Sequence, residues 1–359
     1  MSSLSLGIVG LPNVGKSTLF NALTKNSVLA ANYPFATIEP NVGVVNVPDE
    51  RITRLTEISS SNKIIPAACT FVDIAGIVRG ASKGEGLGNK FLSHIRECNA
   101  IVQVVRAFEN DDIVHVEGKI DPAADIETIK TELCLADLES IEKRIQNLQK
   151  QAKADPKVGA VIAGLEKLKS VLDKNTLLSS EFSELPEEVR DLQLLTAKPF
   201  IYVFNIDENE IADSEKKSSL QELVVGSPAI FLSAQTEADL QDLSAEDAKE
   251  LLQSLGQDES GLDQLIQLGY KTLGLETFFT TGPTETRGWT MRAGSTAPQA
   301  AGIIHTDFEK GFIKAEVVNY QDFVVGNGWA GAQGAGKVRL EGKDYIMQDG
   351  DIVVFRHSS

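Results

Sequence analysis

Two spacings of apolar residues alternate along the chain. Short apolar runs at 6–9, 41–47 (NVGVVNV), 68–74 (ACTFVDI), 100–107 (AIVQVVRA), 200–204 (FIYVF) and 229–232 (AIFL) have the length of strands and are rich in β-branched and aromatic residues. Runs without polar alternation predict strands buried on both faces, as in a parallel sheet flanked by helices. Within 18–24 (TLFNALT), Leu19, Phe20 and Leu23 instead fall at the spacing of a helix with one buried face. From 125 onward that spacing takes over. Ile126, Ile129, Leu133 and Ala136, then Leu138, Ile141, Ile145, Leu148 and Ala152, recur every three or four residues with one slip between the two sets, the signature of a coiled-coil seam. At 1.5 Å per residue such a helix is an arm of roughly 45 Å. Ala154-Asp155-Pro156 breaks the run, with Asp155 suited to cap a second helix and Pro156 to its first turn, and Val158, Val161, Leu165, Leu168 and Leu172 continue the spacing. The pattern predicts an antiparallel helical hairpin inserted between two strands of the sheet.

Residues 240–271 are acidic and helical in pattern, with Ser244 as a cap. From Thr277 the chain turns β-rich, with candidate strands at 278–280, 290–292, 313–318 and 351–355, one short helix at 298–305, and a hairpin through the Asp349-Gly350 turn.

Chemistry enters between the first strand and the first helix. Gly10-Leu-Pro-Asn-Val-Gly15-Lys16-Ser17-Thr18 fits G-x-x-x-x-G-K-[ST]. In that pattern glycines let backbone N–H groups point at phosphates, the Lys ammonium reaches outer phosphate oxygens and the Ser hydroxyl ligates Mg²⁺. The amides of Asn13, Val14, Gly15, Lys16, Ser17 and Thr18 are the expected phosphate contacts. The loop at 30–41 (AANYPFATIEPN) supplies Thr37, either a switch residue completing the Mg²⁺ shell or an ordinary loop threonine. Asp73 ends a strand and is followed by Gly76, the arrangement that holds Mg²⁺ through water and senses the γ-phosphate. Glycines at 80, 84, 86 and 88 follow, as in a second switch loop, or in a plain flexible loop. Ile77 stands where Ras-like GTPases have a water-orienting Gln, and it cannot hydrogen-bond a water.

Two further strands end in base-reading positions, Asn205-Ile206-Asp207-Glu208 and Ser233-Ala234. Where GTPases have N-K-x-D, the Lys place holds Ile206 and the Asp place holds Glu208. A carboxylate one methylene longer does not read guanine with the same geometry, so adenine is the alternative; guanine read through Asp207 or Glu208 remains open. His115, in the acidic loop 108–115, is either a solvated loop histidine or a group that orients water near the phosphates.

Composition narrows the classes. At 359 residues and 42% hydrophobic the chain is long enough for two or three domains. A net charge of −17 argues against coating nucleic acid by bulk charge, and no DNA binding is expected. Locally, Lys143, Arg144, Lys150, Lys153 and Lys157 face Asp155 alone between 143 and 157, which is either a solvated helical face or an RNA or ribosome contact. Cys69, Cys98 and Cys134 are odd in number and widely spaced, which suits a reducing compartment. No leader and no apolar run of 18 residues is seen, so a cytoplasmic chain without membrane contact is expected.

The segments GLPNVGKST (10–18), PFATIEPN (34–41), DIAGIVRGASKGEGLGN (73–89), FEND (108–111), N-x-x-E (205–208) and TAPQAAGIIHTDFEKGFIKAE (296–316) together resemble the YchF family, the Obg-like ATPases among the translation-factor-related P-loop GTPases. The resemblance spans essentially the whole chain. It implies an α/β fold: a Ras-like P-loop nucleotide domain at 1–118 and 198–277, the hairpin insertion at 119–197, and a C-terminal β-grasp TGS domain at 278–359. It also implies ATP hydrolysis in preference to GTP, and with Ile77 in the Gln place turnover is expected to be slow without a partner. It implies ribosome and ribosomal RNA contact through the hairpin tip and TGS domain, and a water-activating His in the loop of His115. Under this resemblance Lys16, Gly76 and His115 are the catalytic candidates. Asn205, Ile206, Glu208, Ser233 and Ala234 surround the base, and Ser17, Thr37 and Asp73 hold Mg²⁺. The rival is a ribosome- or RNA-binding module in which nucleotide only supports the fold.

Overall fold

The computed structural model describes residues 4–25, 41–76, 80, 87–110, 119–150 and 156–358. Its strands are β1 (Ser5–Val9), β2 (Val42–Asn46), β3 (Ile64–Ile65), β4 (Ala68–Asp73), β5 (Ala100–Arg106), β6 (Phe200–Asn205), β7 (Ala229–Leu232), β8 (Leu275–Thr281), β9 (Thr286–Arg292), β10 (Phe312–Val318), β11 (Arg339–Glu341) and β12 (Ile352–His357). The chain divides into two compact units, Met1–Gly43 with Thr70–Leu265, and Val44–Cys69 with Ile266–Ser359.

The first unit is built on a sheet of order β2-β4-β1-β5-β6-β7, in which β4, β1, β5, β6 and β7 are mutually parallel. Strands β1, β5 and β6 are buried at every position, as their unbroken apolar runs require. The parallel order places the strand ends Val9, Asp73 and Asn205 on one edge, where ligands of open α/β sheets bind.

Between β5 and β6 stand the helices Pro122–Gln149 and Pro156–Leu172. Asp121 caps the first, accepting from the Ala124 N–H at 3.1 Å, and Pro122 occupies its first turn. Ile141, Ile145, Leu165, Leu168 and Leu172 share one core. Lys169 pairs with Glu142 at 2.7 Å, and Asn175 beyond the second helix bonds Thr131 at 2.8 Å. One number rises as the other falls, so the two helices run antiparallel. The caps expected at Asp155 and the side chains of Lys153 and Lys157 lie outside the described residues. The return to β6 is pinned by Asp137, which is wholly buried and accepts from Leu195 N–H (3.0 Å), Thr196 N–H (2.8 Å) and the Thr196 hydroxyl (2.7 Å).

The second unit carries a sheet of order β11-β10-β12-β8-β9-β3. Its pairs β10–β11, β10–β12 and β8–β9 are antiparallel, and β12–β8 and β3–β9 parallel. Successive residues on a strand face opposite ways. Phe278, Val317 and Val353 therefore pack with Ala297, Ala300 and Ala301 of the helix Ala297–Ile304. Their neighbours Phe279, Val318 and Ile352 pack with Ile52 and Leu55 of the helix Glu50–Ser59 and with Phe323 and Ala332.

Two sequence expectations change here, and two helices appear where no element was expected. Residues 44–69, read as part of a domain covering 1–118, belong with the second unit because Ile64 and Ile65 pair with Thr286 and Arg287. The hairpin expected through Asp349-Gly350 does not form: Ile346 makes only a bridge to Thr296, and β12 pairs with β10 and β8. These helices, Tyr320–Val325 and Trp329–Gly334, stand in a Gly-rich stretch.

Candidate nucleotide site

Buried β1 delivers the chain to Gly10, and the loop re-enters helix Lys16–Lys25. A Cβ at Gly10 would lie 2.8 Å from Val14 Cγ2 and 3.0 Å from the Val104 carbonyl oxygen, so a side chain there would force the loop open. Gly15 has φ +91° and its added Cβ would fall 2.2 Å from Asn205 Nδ2, which only glycine accommodates. Val14 is fully buried, so its contribution outward is backbone alone, while Asn13 and Ser17 are exposed.

Asn205 joins three parts of the site. It is 5% exposed; its Nδ2 donates to the Val14 carbonyl at 3.0 Å and its Oδ1 accepts from the Ala234 N–H at 2.9 Å. The phosphate loop, the end of β6 and the Ser233-Ala234 turn are thereby fixed to each other. Ser233 caps the helix Ala234–Leu240, its Oγ accepting from the Thr236 N–H at 3.3 Å. The Thr236 hydroxyl in turn donates to Glu208 Oε2 at 2.8 Å.

On the phosphate side Lys16 Nζ is paired with Asp73 Oδ1. Gly76 lies beside the loop, where a Cβ would stand 3.4 Å from the Gly10 carbonyl oxygen and 3.5 Å from Pro12 N. Among the described residues no cluster of three or more His, Cys, Asp or Glu could hold a metal. The Ser17 hydroxyl and the Asp73 carboxylate are hard oxygen donors that fit Mg²⁺, which takes few protein ligands and completes its shell with water and phosphate.

The structure thus brings together Asn13, Val14, Gly15, Lys16, Ser17, Thr18, Asp73, Gly76, Asn205, Glu208, Ser233 and Ala234. Ile206 is the exception. Its side chain is 1% exposed and its N–H bonds the Leu232 carbonyl at 2.9 Å, so the side chain packs inside the sheet and only the backbone of this residue is open to a base. Asp207 turns the other way, its Oδ2 accepting from the Glu109 N–H at 3.0 Å. Arg106, 1% exposed, donates to the carbonyls of Phe108 (3.3 Å) and Asn110 (3.1 Å) and lies 4.4 Å over the Phe108 ring. These contacts brace the start of the loop toward His115. Thr37, Ile77 and His115 themselves lie outside the described residues. Gly80 is described, and its N–H donates to the buried Glu132 of the helix Pro122–Gln149 at 2.6 Å.

A groove of about 540 Å³ opens between helices Lys16–Lys25 and Ala234–Leu240, lined by Thr18, Asn21, Gln235 and Asp239 among others. It shares only Thr18 with the site predicted from sequence, so it flanks the phosphate loop rather than containing it.

Thr236 and Glu237 were missed by sequence reading. The signal available was their register, the third and fourth residues after the Ser233 cap. Glu237 is 5% exposed, and one of its carboxylate oxygens accepts from the Gly261 N–H at 2.6 Å. Burial, reinforced by Asp263, pushes its carboxyl up to about 7 from an ordinary 4.5, against the lowering by Gly261, Leu262 and Ser260. The folded chain then holds this proton more tightly than the unfolded chain, so stability falls as pH rises through that window. Glu237→Gln keeps the acceptor and removes the charge. It is expected to melt above the parent at pH 8, by up to about 3 kcal/mol, with most of the difference gone at pH 5. Equal differences at the two pH values would sink this account.

Comparison with known proteins decides the family. A family model described as "50S ribosome-binding GTPase" matches residues 5–136, and the model YchF-GTPase_C, described as a protein of unknown function, matches 275–358. The ribosome-binding ATPase YchF of Bacillus subtilis is 53% identical, with 99% of each chain covered. The chain belongs to the YchF family. Obg-like ATPase 1 of Gallus gallus is 45% identical over 100% of this chain and 93% of its own. The Schizosaccharomyces pombe YchF GTPase superposes with a TM-score of 0.87 at 41% identity, covering 99% of this chain and 98% of its own. The YchF fold is a mixed α/β P-loop GTPase fold, and the site assembled above lies in its P-loop part. Among the described residues no helix is long and apolar enough to cross a membrane.

Proposed function

We propose that this YchF-family chain is a cytoplasmic, Mg²⁺-dependent ATPase that prefers ATP to GTP and acts as a nucleotide switch on the ribosome. The observation that carries the reading is the convergence of Lys16, Asp73, Gly76 and Asn205 on the single loop Gly10–Thr18. Amides of residues 13–18 and the Lys16 ammonium hold the phosphates. Ser17, Thr37 and Asp73 hold Mg²⁺, which supplies neutralisation of phosphate charge. Gly76 senses the γ-phosphate. Asn205, Glu208, Ser233 and Ala234 border the base, with Glu208 in the place of the guanine-reading Asp supporting adenine. With Ile77 in the Gln place, His115 is the proposed water-orienting group and turnover is slow until a partner acts.

The antiparallel helices 122–149 and 156–172 are proposed as the inserted hairpin, and the β-rich C-terminal portion as a TGS domain. Ribosome and ribosomal RNA contact is assigned to the basic hairpin tip and that domain, supported by the ribosome-binding names of the relatives.

Competition of ATP against GTP for the Mg²⁺-loaded protein tests the base: ATP should win by about tenfold or more, and tighter GTP binding would overturn the assignment. Co-sedimentation with ribosomes should differ between a non-hydrolysable ATP analogue and no nucleotide. Identical binding in both states would favour a module in which nucleotide is structural.

A further inference from the structure

We infer that Thr236 sets the base preference of this site by restraining the Glu208 carboxylate. The inference rests on the adenine reading above and deepens it. Guanine offers two adjacent donors, N1–H and the exocyclic amine, and a carboxylate reads them when both of its oxygens turn to one base edge. Adenine offers one exocyclic amine beside an acceptor nitrogen, so a single carboxylate oxygen suffices and a second is repelled.

The geometry around Glu208 favours the second case. The Thr236 hydroxyl donates to Oε2 at 2.8 Å, and Oε1 has no hydrogen-bond partner among the described residues. Thr236 is 3% exposed and its N–H is held by Ser233 Oγ at 3.3 Å, so the hydroxyl is fixed to the helix start. Ala234 of the same turn is tied to Asn205 Oδ1 at 2.9 Å. Glu208 itself is exposed, at the end of the strand that Asn205 closes. Oε2 keeps a second lone pair; what the hydroxyl removes is the freedom of the carboxylate to present both oxygens together. One oxygen is left for the base. A guanine in that place leaves a Watson–Crick donor unmatched, the situation from which sites of this kind draw their selectivity. Asp207 turns its carboxylate away from this turn, its Oδ2 accepting from the Glu109 N–H at 3.0 Å. Thr236 is a positioning residue: it acts on the base through Glu208.

The test measures dissociation constants of Mg²⁺ complexes of non-hydrolysable ATP and GTP analogues for the parent, Thr236→Ser, Thr236→Val and Thr236→Ala. The parent should bind the ATP analogue more tightly. In the Val and Ala variants the preference should shrink by about tenfold, about 1.4 kcal/mol, with the larger change on the GTP side. Thr236→Ser restores the hydroxyl and should keep the parent preference to within about threefold. A pure packing role would move both nucleotides together and would not be rescued by Ser. An unchanged preference in Val and Ala, or a Ser variant as altered as they are, overturns the role of Thr236 while leaving the adenine reading intact. A parent that binds the GTP analogue more tightly overturns both. Thermal melts confirm folding, and Ala provides a hydroxyl-free variant without added bulk should the Val side chain not fit.

Discussion

Replacing Lys16 by Ala is expected to weaken Mg²⁺-ATP binding by about 100-fold or more, with little effect on the fold. Lys16 and Asp73 form an ion pair, their side chains 11% and 18% exposed. On binding, the ammonium exchanges the carboxylate for phosphate oxygens, so its removal deletes a charge-assisted contact worth about 1.5–3 kcal/mol. Titration of labelled ATP measures the effect; binding within about threefold of the parent would remove Lys16 from the phosphate site. His115→Ala provides the contrast. It should retain ATP affinity and lose turnover, and equal hydrolysis would end its proposed role.

The phosphate loop was legible from sequence because its chemistry is local. Gly10, Gly15, Lys16 and Ser17 are consecutive constraints on one turn, and the strand before it and the helix after it announce themselves by spacing. Asp73 was legible as the last residue of an apolar run. What escaped was set by partners far along the chain. Nothing in residues 44–69 shows that Ile64 and Ile65 pair with Thr286 and Arg287. The Asp349-Gly350 turn has hairpin composition, yet the Asp349 carboxylate accepts from the Thr277 N–H at 2.9 Å and from Arg51 at 2.7 Å. Those bonds hold the turn in a different service. The helices Tyr320–Val325 and Trp329–Gly334 were hidden by their glycines, poor helix formers. The glycines are required where the second helix meets the end of the first: a Cβ at Gly331 would sit 1.8 Å from the Gly326 carbonyl oxygen. Ile206 shows a related limit. N-x-x-E names four positions, but strand burial decides which of them face outward.

Asn205→Ala is the second substitution of large expected effect, and it differs from Lys16→Ala in kind. The Asn205 amide is 5% exposed and makes two bonds, to the Val14 carbonyl at 3.0 Å and from the Ala234 N–H at 2.9 Å. Truncation strands both backbone groups, each costing about 1–3 kcal/mol when buried without a partner. The nucleotide-free protein should therefore melt lower by about 5 °C or more, which Lys16→Ala should not do. ATP binding should fall as well, because the loop Gly10–Thr18 loses its tie to the Ser233-Ala234 turn and must be ordered by the ligand itself. Asn205→Asp separates the tie from mere volume. The carboxylate has nearly the shape of the amide and can still accept from Ala234. It sets an acceptor against the Val14 carbonyl, however, and puts a charge where the amide was buried. If the amide acts by bridging, Asn205→Asp loses stability and affinity as Asn205→Ala does. An Asp variant that melts and binds like the parent would show that shape alone is what position 205 supplies.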